Sequence, residues 1–288
     1  MQKTVFITGA TSGIGKAAAI TLSRQGLQVI IQGRDVKKTE QVRQEIITES
    51  GNRQVSAVTA DLFSMQDIRK MCAHIHEQCS RIDILINNAG GLMSDTREIS
   101  TDGIEKTFAV NVTAPFLITH LLLDLLEKSD DARIINVASN SHQLNAQPDF
   151  KDIQLKNGYN PLRAYGNAKL FLIWNTQHLA NYLAQEGLAH VKAYSLHPGA
   201  VATSFGKNSN LGPLLNVISK LARPFFLSPE SGADTIVFLA TTTTVPGNSG
   251  DYYVKRKPAK KSNKYFSQER EDLIWKYCLH QIGINKYI

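Results

Sequence analysis

The sequence predicts a single-domain α/β fold, a doubly wound parallel sheet with helices on both faces, and three observations lead there. Short apolar, β-branched runs at 4–8, 27–31, 54–60, 82–87, 132–138 and 190–196 alternate with longer helical patterns. The runs are apolar throughout rather than at every second residue, so each strand needs cover on both faces. No linker or repeat interrupts the alternation, so residues 1–288 read as one domain.

The chain passes from Met1-Gln2-Lys3 directly into the first strand, Thr4-Val5-Phe6-Ile7-Thr8, with no secretory apolar segment before it. A cytoplasmic protein is expected. The strand is followed by Thr8-Gly9-Ala10-Thr11-Ser12-Gly13-Ile14-Gly15 and a helical run from Lys16. Strand, glycine loop and helix stand in the Rossmann-type order that seats a pyrophosphate. Glycines let the backbone approach closely, and the helix start offers free N–H groups and a positive dipole end. Gly9, Ser12, Gly13, Ile14 and Gly15 are the expected contacts. A plain strand-to-helix turn is the alternative, and the motif alone does not identify a reaction.

The second strand runs into Gln32-Gly33-Arg34, where no carboxylate stands ready to hold a ribose 2′-hydroxyl. Arg34, helped by Lys38 one turn later, can grip a 2′-phosphate by charge-assisted hydrogen bonds, so NADP(H) is the expected cofactor. Asp35 precedes a helix and is expected to cap it.

Farther along, Asn160-Pro161 opens a helix as a cap residue followed by proline at the first helical position. Tyr165 and Lys169 then share one helix face, where an ammonium can lower the phenol's pKa for acid/base work near neutrality. Tyr253 and Lys257 have the same spacing but fall in a strand-like run, where four residues separate side chains by roughly 13 Å. Asn111 lies in a helical pattern before Pro115, which lacks an N–H, so the Asn111 carbonyl loses its usual partner and is free to bind a water.

Three segments break the rhythm: a polar insertion at 140–160, an apolar glycine- and proline-containing stretch at 204–228, and a basic stretch at 255–266. Ligands bind outside the carboxyl ends of the strands in such sheets, and the first two segments come after strands there. Residues 204–228 read as a substrate flap, and 255–288 as a C-terminal extension. Phe205 and Leu211 are expected to line an apolar substrate pocket, with core filling as the alternative.

Composition, 42% hydrophobic and 20% charged, excludes disordered and fibrous classes. The apolar run Phe116 to Leu126 contains Thr119, His120 and Asp124 and is too short for a transmembrane segment. The formal charge of +7, with Lys255, Arg256, Lys257, Lys260, Lys261 and Lys264 together, raises anionic partners; a solvated basic loop is the plainer reading. No nucleic acid is expected. Cys72, Cys79 and Cys278 are an odd set without ligand spacing, expected as reduced thiols. His142 and His197 are expected to be structural, and no metal ion is expected.

Gly9-xxx-Gly13-Ile14-Gly15, Asn87-Asn88-Ala89-Gly90, Asn111, Ser139, Tyr165 with Lys169, and Pro198-Gly199 together resemble the short-chain dehydrogenase/reductase family. Arg133 to His142, His197-Pro198-Gly199-Ala200-Val201-Ala202-Thr203 and Ser249-Gly250-Asp251-Tyr252-Tyr253 resemble its retinol dehydrogenase-like branch, whose membrane-bound members carry an amino-terminal anchor. The resemblance implies that Tyr165 exchanges the proton, Lys169 lowers its pKa and holds the nicotinamide ribose, and Ser139 orients the substrate oxygen. Ser141 is a rival for that last role. A water on Asn111 would extend the proton path. Asn88, Ala89 and Gly90 would lie along the adenosine ribose, with a loop turn as the alternative. Asp61 would accept from the adenine amino group, or cap a helix, with Leu62 packing nearby. Pro198 and Gly199 would turn beneath the nicotinamide, letting Val201 and Thr203 meet its carboxamide.

The implied function is an NADP(H)-dependent oxidoreductase acting on a small-molecule carbonyl or alcohol, best a lipophilic aldehyde or ketone rather than a retinoid. The alternatives are a 3-oxoacyl thioester reductase and a non-catalytic NADP(H)-sensing or RNA-binding protein. Helices around 101–128 and 161–186 would pair in a homo-oligomer, as in much of the family.

Overall fold

Successive side chains of a strand point to opposite faces, and in this sheet both faces are dry. Phe6, Ile30, Leu85 and Ile134 pack on one side, and Val5, Ile7, Val29, Ile31, Ile84, Ile86 and Ile135 on the other. That double burial is why the runs lack polar alternation. The computed structural model describes residues 2–199 and 227–287. Its strands are β1 (Thr4–Ile7), β2 (Gln28–Gly33), β3 (Val55–Thr59), β4 (Ile84–Asn87), β5 (Ala132–Val137), β6 (Val191–His197), β7 (Tyr252–Val254) and β8 (Lys257–Pro258). They form one sheet in the order β3-β2-β1-β4-β5-β6-β7-β8, parallel from β1 to β7, with β8 antiparallel to β7.

Helices α1 (Gly13–Arg24) and α2 (Val36–Ser50) cover one face together with α9 (Pro229–Thr241). The other face carries α3 (Met65–Gln78), α5 (Ala114–Leu121), α8 (Pro161–Gln185) and α10 (Gln268–Ile282). Short helices α4 (Lys106–Phe108), α6 (Leu123–Glu127) and α7 (Ser141–Leu144) complete the described set. Asp35 caps α2 by accepting from the Lys38 N–H, and Asn160 caps α8 by accepting from the Arg163 N–H, as the sequence predicts.

Strand order reverses between β1 and β4, and this positions the site. The Thr8 N–H donates to the Ile86 carbonyl at 3.0 Å, so the glycine loop and the Asn87-to-Gly90 turn emerge side by side.

The expected helix around 101–128 is instead interrupted. Glu105 caps α4 through the Thr107 and Phe108 N–H groups, a π-helical turn spans Ala109–Thr113, and the helix breaks again at Leu122 between α5 and α6. Pro115 has no N–H to give, and the chain widens by one residue per turn just before it. The surfaces of α5 and α8 are partly covered by this chain's own carboxyl-terminal segment. The Tyr287 hydroxyl donates to the Phe116 carbonyl at 2.9 Å, and the Phe116 ring meets Trp275 edge-on at 4.8 Å. The basic stretch forms the β7–β8 hairpin and the loop leading into α10. Arg256 at the hairpin tip pairs with Asp234, and Lys255, Lys257, Lys260 and Lys264 are exposed.

Candidate active site

The carboxyl end of β5 and the first turns of α8 bring together Ser139, Tyr165 and Lys169. The Ser139 side chain is hydrogen-bonded to the Tyr165 phenol. Both Tyr165, 7% exposed, and Lys169, 3% exposed, are packed among apolar residues of α8. The Lys169 Nζ donates to the Val137 carbonyl at 2.8 Å and stands 5.6 Å from the centre of the Tyr165 ring. Burial raises the phenol's pKa, opposed by the Ser139 bond, and lowers the lysine to about 7. The expectation that the ammonium lowers the phenol is therefore not met in the free protein. Helical spacing places the two groups on one face, but desolvation of each outweighs the attraction between them.

Ser141, the rival to Ser139, stands in a different local structure. β5 ends at Val137, so Ser141 does not share a strand face with Ser139; it starts α7. Its N–H donates to the Ser139 Oγ at 3.2 Å, and its own hydroxyl accepts from Asn145 at 2.8 Å.

Asn111 is fully buried in the π-helical turn. Its Nδ2 donates to the carbonyls of Gly91 at 2.9 Å and Thr107 at 2.8 Å, and its Oδ1 accepts from the Gly91 N–H at 3.1 Å. A Cβ added at Gly90 would lie 2.5 Å from Asn111 Oδ1 and 3.0 Å from Lys169 Nζ. The chain at Gly90 thus runs close against the two polar side chains, and at that position only glycine fits.

The glycine loop is held by side chains from β2 and from the turn after β4. Gly9, at φ +63°, backs onto Ala89, whose Cα would be 2.9 Å from an added Cβ. Gln32 accepts from the Gly9 N–H at 2.9 Å and donates to the carbonyls of Gly33 and Ala60, both at 2.9 Å. Asn88 Nδ2 donates to the carbonyls of Thr8 at 2.9 Å and Gly9 at 3.2 Å. α1 starts at Gly13 with no side-chain cap from Ser12 and no acid in its first turn, which leaves its dipole end to an anion. Arg34 and Lys38 are exposed just past β2 and have no ion-pair partner among the described residues. This donor set fits a dinucleotide with an extra phosphate.

A family model described as short chain dehydrogenase matches residues 3–213. This chain belongs to the short-chain dehydrogenase family. Mouse retinol dehydrogenase 12 is 36% identical, with 98% of this chain and 87% of the relative covered. Human polyprenol dehydrogenase is 34% identical, covering 98% of this chain and 86% of the relative. Among solved structures, an uncharacterised protein from Mycobacterium paratuberculosis gives a TM-score of 0.77 at 25% identity, covering 99% of this chain and 94% of that one. The Pseudomonas aeruginosa RhlG/NADP active-site complex gives 0.67 at 26% identity, covering 87% and 93%. An oxidoreductase acting on CH–OH or C=O groups with a nicotinamide cofactor follows from family membership.

Within this short-chain dehydrogenase, Gly9, Ser12, Gly13, Ile14 and Gly15 form one loop, flanked by Arg34 and Lys38 on one side and Asn88, Ala89 and Gly90 on the other. The Asn88 amide straps the loop through the carbonyls of Thr8 and Gly9. Asp61 does not cap α3; it accepts from the Phe63 N–H at 3.0 Å in a turn, while Ser64 caps the helix and Leu62 joins the core. Pro198 and Gly199, at φ +89°, close the carboxyl end of β6. Val201, Thr203, Phe205 and Leu211 lie outside the described residues. The loop-holding residues that sequence reasoning missed are Gln32 and Thr8. Gln32 left a signal as a buried polar side chain near the end of β2, after the apolar Val29-Ile30-Ile31.

Proposed function

We propose that this short-chain dehydrogenase is an NADP(H)-dependent reductase of lipophilic aldehydes or ketones that uses Tyr165 as its proton donor. The observation carrying this reading is the hydrogen-bonded Ser139–Tyr165 pair, with Lys169 and Asn111 together against Gly90. Gly9, Gly13, Ile14 and Gly15 would hold the pyrophosphate, Arg34 and Lys38 the 2′-phosphate, and Lys169 the nicotinamide ribose. When bound, NADPH supplies the hydride to the carbonyl carbon.

The chain's own residues handle the oxygen and the proton. Ser139 donates a hydrogen bond to the substrate oxygen and orients it toward Tyr165. The raised pKa keeps the phenol protonated, so it has a proton to give as negative charge develops on that oxygen. The resulting phenolate is stabilised by the Lys169 ammonium across a short, dry gap, and Lys169 with Asn111 returns the proton from solvent. Oxidation of the alcohol runs the same steps backward.

In this reading the segment 204–228 is the substrate flap. The order of the chain supports it, since this segment comes after Gly199 at the carboxyl end of β6. The names of the retinol and polyprenol dehydrogenases support a lipophilic substrate. A cytoplasmic site of action is supported by the unpaired thiols Cys72, Cys79 and Cys278. The described residues contain no helix long and apolar enough to cross a membrane.

The test is loss of NADPH absorbance with retinal, long-chain aldehydes, aromatic ketones and acetoacetyl thioesters as substrates. Turnover of the lipophilic carbonyls supports the proposal. Turnover of thioesters alone, or NADPH binding without any turnover, overturns it.

A further inference from the structure

Ser139 sits on an elbow where the chain leaves β5, and two histidines brace it. His197, at the end of β6, accepts the Asn140 N–H on Nδ1 at 3.3 Å. His142, 1% exposed on α7, lies with Nδ1 2.7 Å from the Ser139 carbonyl oxygen and Nε2 3.3 Å from the Ser262 backbone nitrogen. A backbone N–H can only donate and a carbonyl can only accept. One species therefore makes both bonds: the neutral imidazole with its proton on Nδ1. The same Ser139 carbonyl also accepts the His142 backbone N–H at 3.2 Å. A helix of four residues does not hold itself, and α7 is tied down from outside. Besides the His142 bond, Gln143 donates to the Lys260 carbonyl at 3.1 Å.

We propose that His142 is the positioning residue for Ser139: it pins the serine backbone, and with it the hydroxyl that meets Tyr165, against the segment 259–264. The inference rests on Ser139 and Tyr165 being the reacting pair. It gives the basic stretch a definite task, since the Ser262 N–H selects the tautomer that donates to Ser139. The titratable and charged groups facing the ring are Lys261 on that segment, His197 on β6, and Tyr252 on β7, whose ring stands edge-on at 5.0 Å. Burial holds His142 below the ordinary histidine range, and the Lys261 charge acts in the same direction. A proton added at Nε2 takes away the acceptor of the Ser262 N–H and sets a cation beside Lys261. The link from His142 to Ser262 is therefore cut as pH falls, and Ser139 stays bonded to a ring no longer anchored on that segment.

The experiment compares the wild-type chain, His142→Ala and His142→Gln for NADPH affinity by fluorescence titration, and for kcat and KM from about pH 5 to 9 with the best carbonyl substrate. His142→Ala is expected to keep its NADPH affinity within about two-fold and lose about ten-fold in kcat, the scale of a displaced but intact reacting group. Glutamine can donate to Ser139 and accept from Ser262 without titrating, so His142→Gln should recover most of the rate and lack the wild-type decline of kcat at acid pH. Wild-type kcat in His142→Ala, or an unchanged acid decline in His142→Gln, overturns the assignment while leaving the reductase reading intact. If wild type binds NADPH but turns over no carbonyl, both fall. His142→Gln also covers the case in which the alanine variant does not fold.

Discussion

The Lys169 ammonium stands 5.6 Å from the centre of the Tyr165 ring, yet its hydrogen bond goes to the Val137 carbonyl, 2.8 Å away. Burial lowers its pKa to about 7. Between that value and the ordinary lysine pKa, the unfolded chain carries a proton that the folded chain does not, so stability rises with pH across the window. Thermal melting of Lys169→Met is expected to lack that rise between about pH 7 and 10, and its turnover should be reduced by at least about a hundred-fold. Melting curves that stay parallel to wild type would show that the lysine is not desolvated.

The proposed preference for NADP(H) rests on Arg34 and Lys38. Replacing a partner of a charged hydrogen bond costs about 1.5–3 kcal/mol, and Arg34→Asp adds repulsion. The Michaelis constant for NADPH should rise at least about ten-fold, while that for NADH changes little. Equal effects on both would remove the assignment.

Gln32→Leu tests the support beneath the phosphate loop. It leaves the Gly9 N–H without its side-chain acceptor and the Gly33 and Ala60 carbonyls without this donor. Buried unpaired groups cost about 1–3 kcal/mol each, although the Gly33 carbonyl keeps a second donor in the Ala60 N–H. A melting temperature lowered by several degrees and weaker NADPH binding are expected. Unchanged affinity would mean that the loop holds its shape unaided.

Gly90→Ala drives a methyl group to 2.5 Å from Asn111 Oδ1 and 3.0 Å from Lys169 Nζ. Overpacking of this kind costs about 1–3 kcal/mol, and the shifted groups are those assigned to the proton path. Turnover should drop more than NADPH affinity does; normal turnover would detach Asn111 from that path.

Much of the fold and of the site is legible in the sequence, for physical reasons. β1 to β6 announce themselves as dry runs of about the right length, and Asp35 and Asn160-Pro161 signal helix starts by chemistry that depends only on neighbours. Tyr165 and Lys169 share a face because helical spacing dictates it. What spacing does not carry is solvent exposure, so the phenol moves upward in pKa and not downward. Tyr253 to Lys257 reads as one strand-like run, whereas the chain turns back at Lys255 and Arg256 to make β7 and β8, strands too short to leave a period that separates them. The brace from Ser262 to His142 is hidden because it joins parts of the chain that only folding brings together.

Tyr165→Phe tests the central claim most directly, by removing one hydroxyl from a buried ring of the same shape. The variant should bind NADPH within about two-fold of wild type and lose at least about a thousand-fold in reduction of the best carbonyl substrate. Reduction at the wild-type rate would contradict the account.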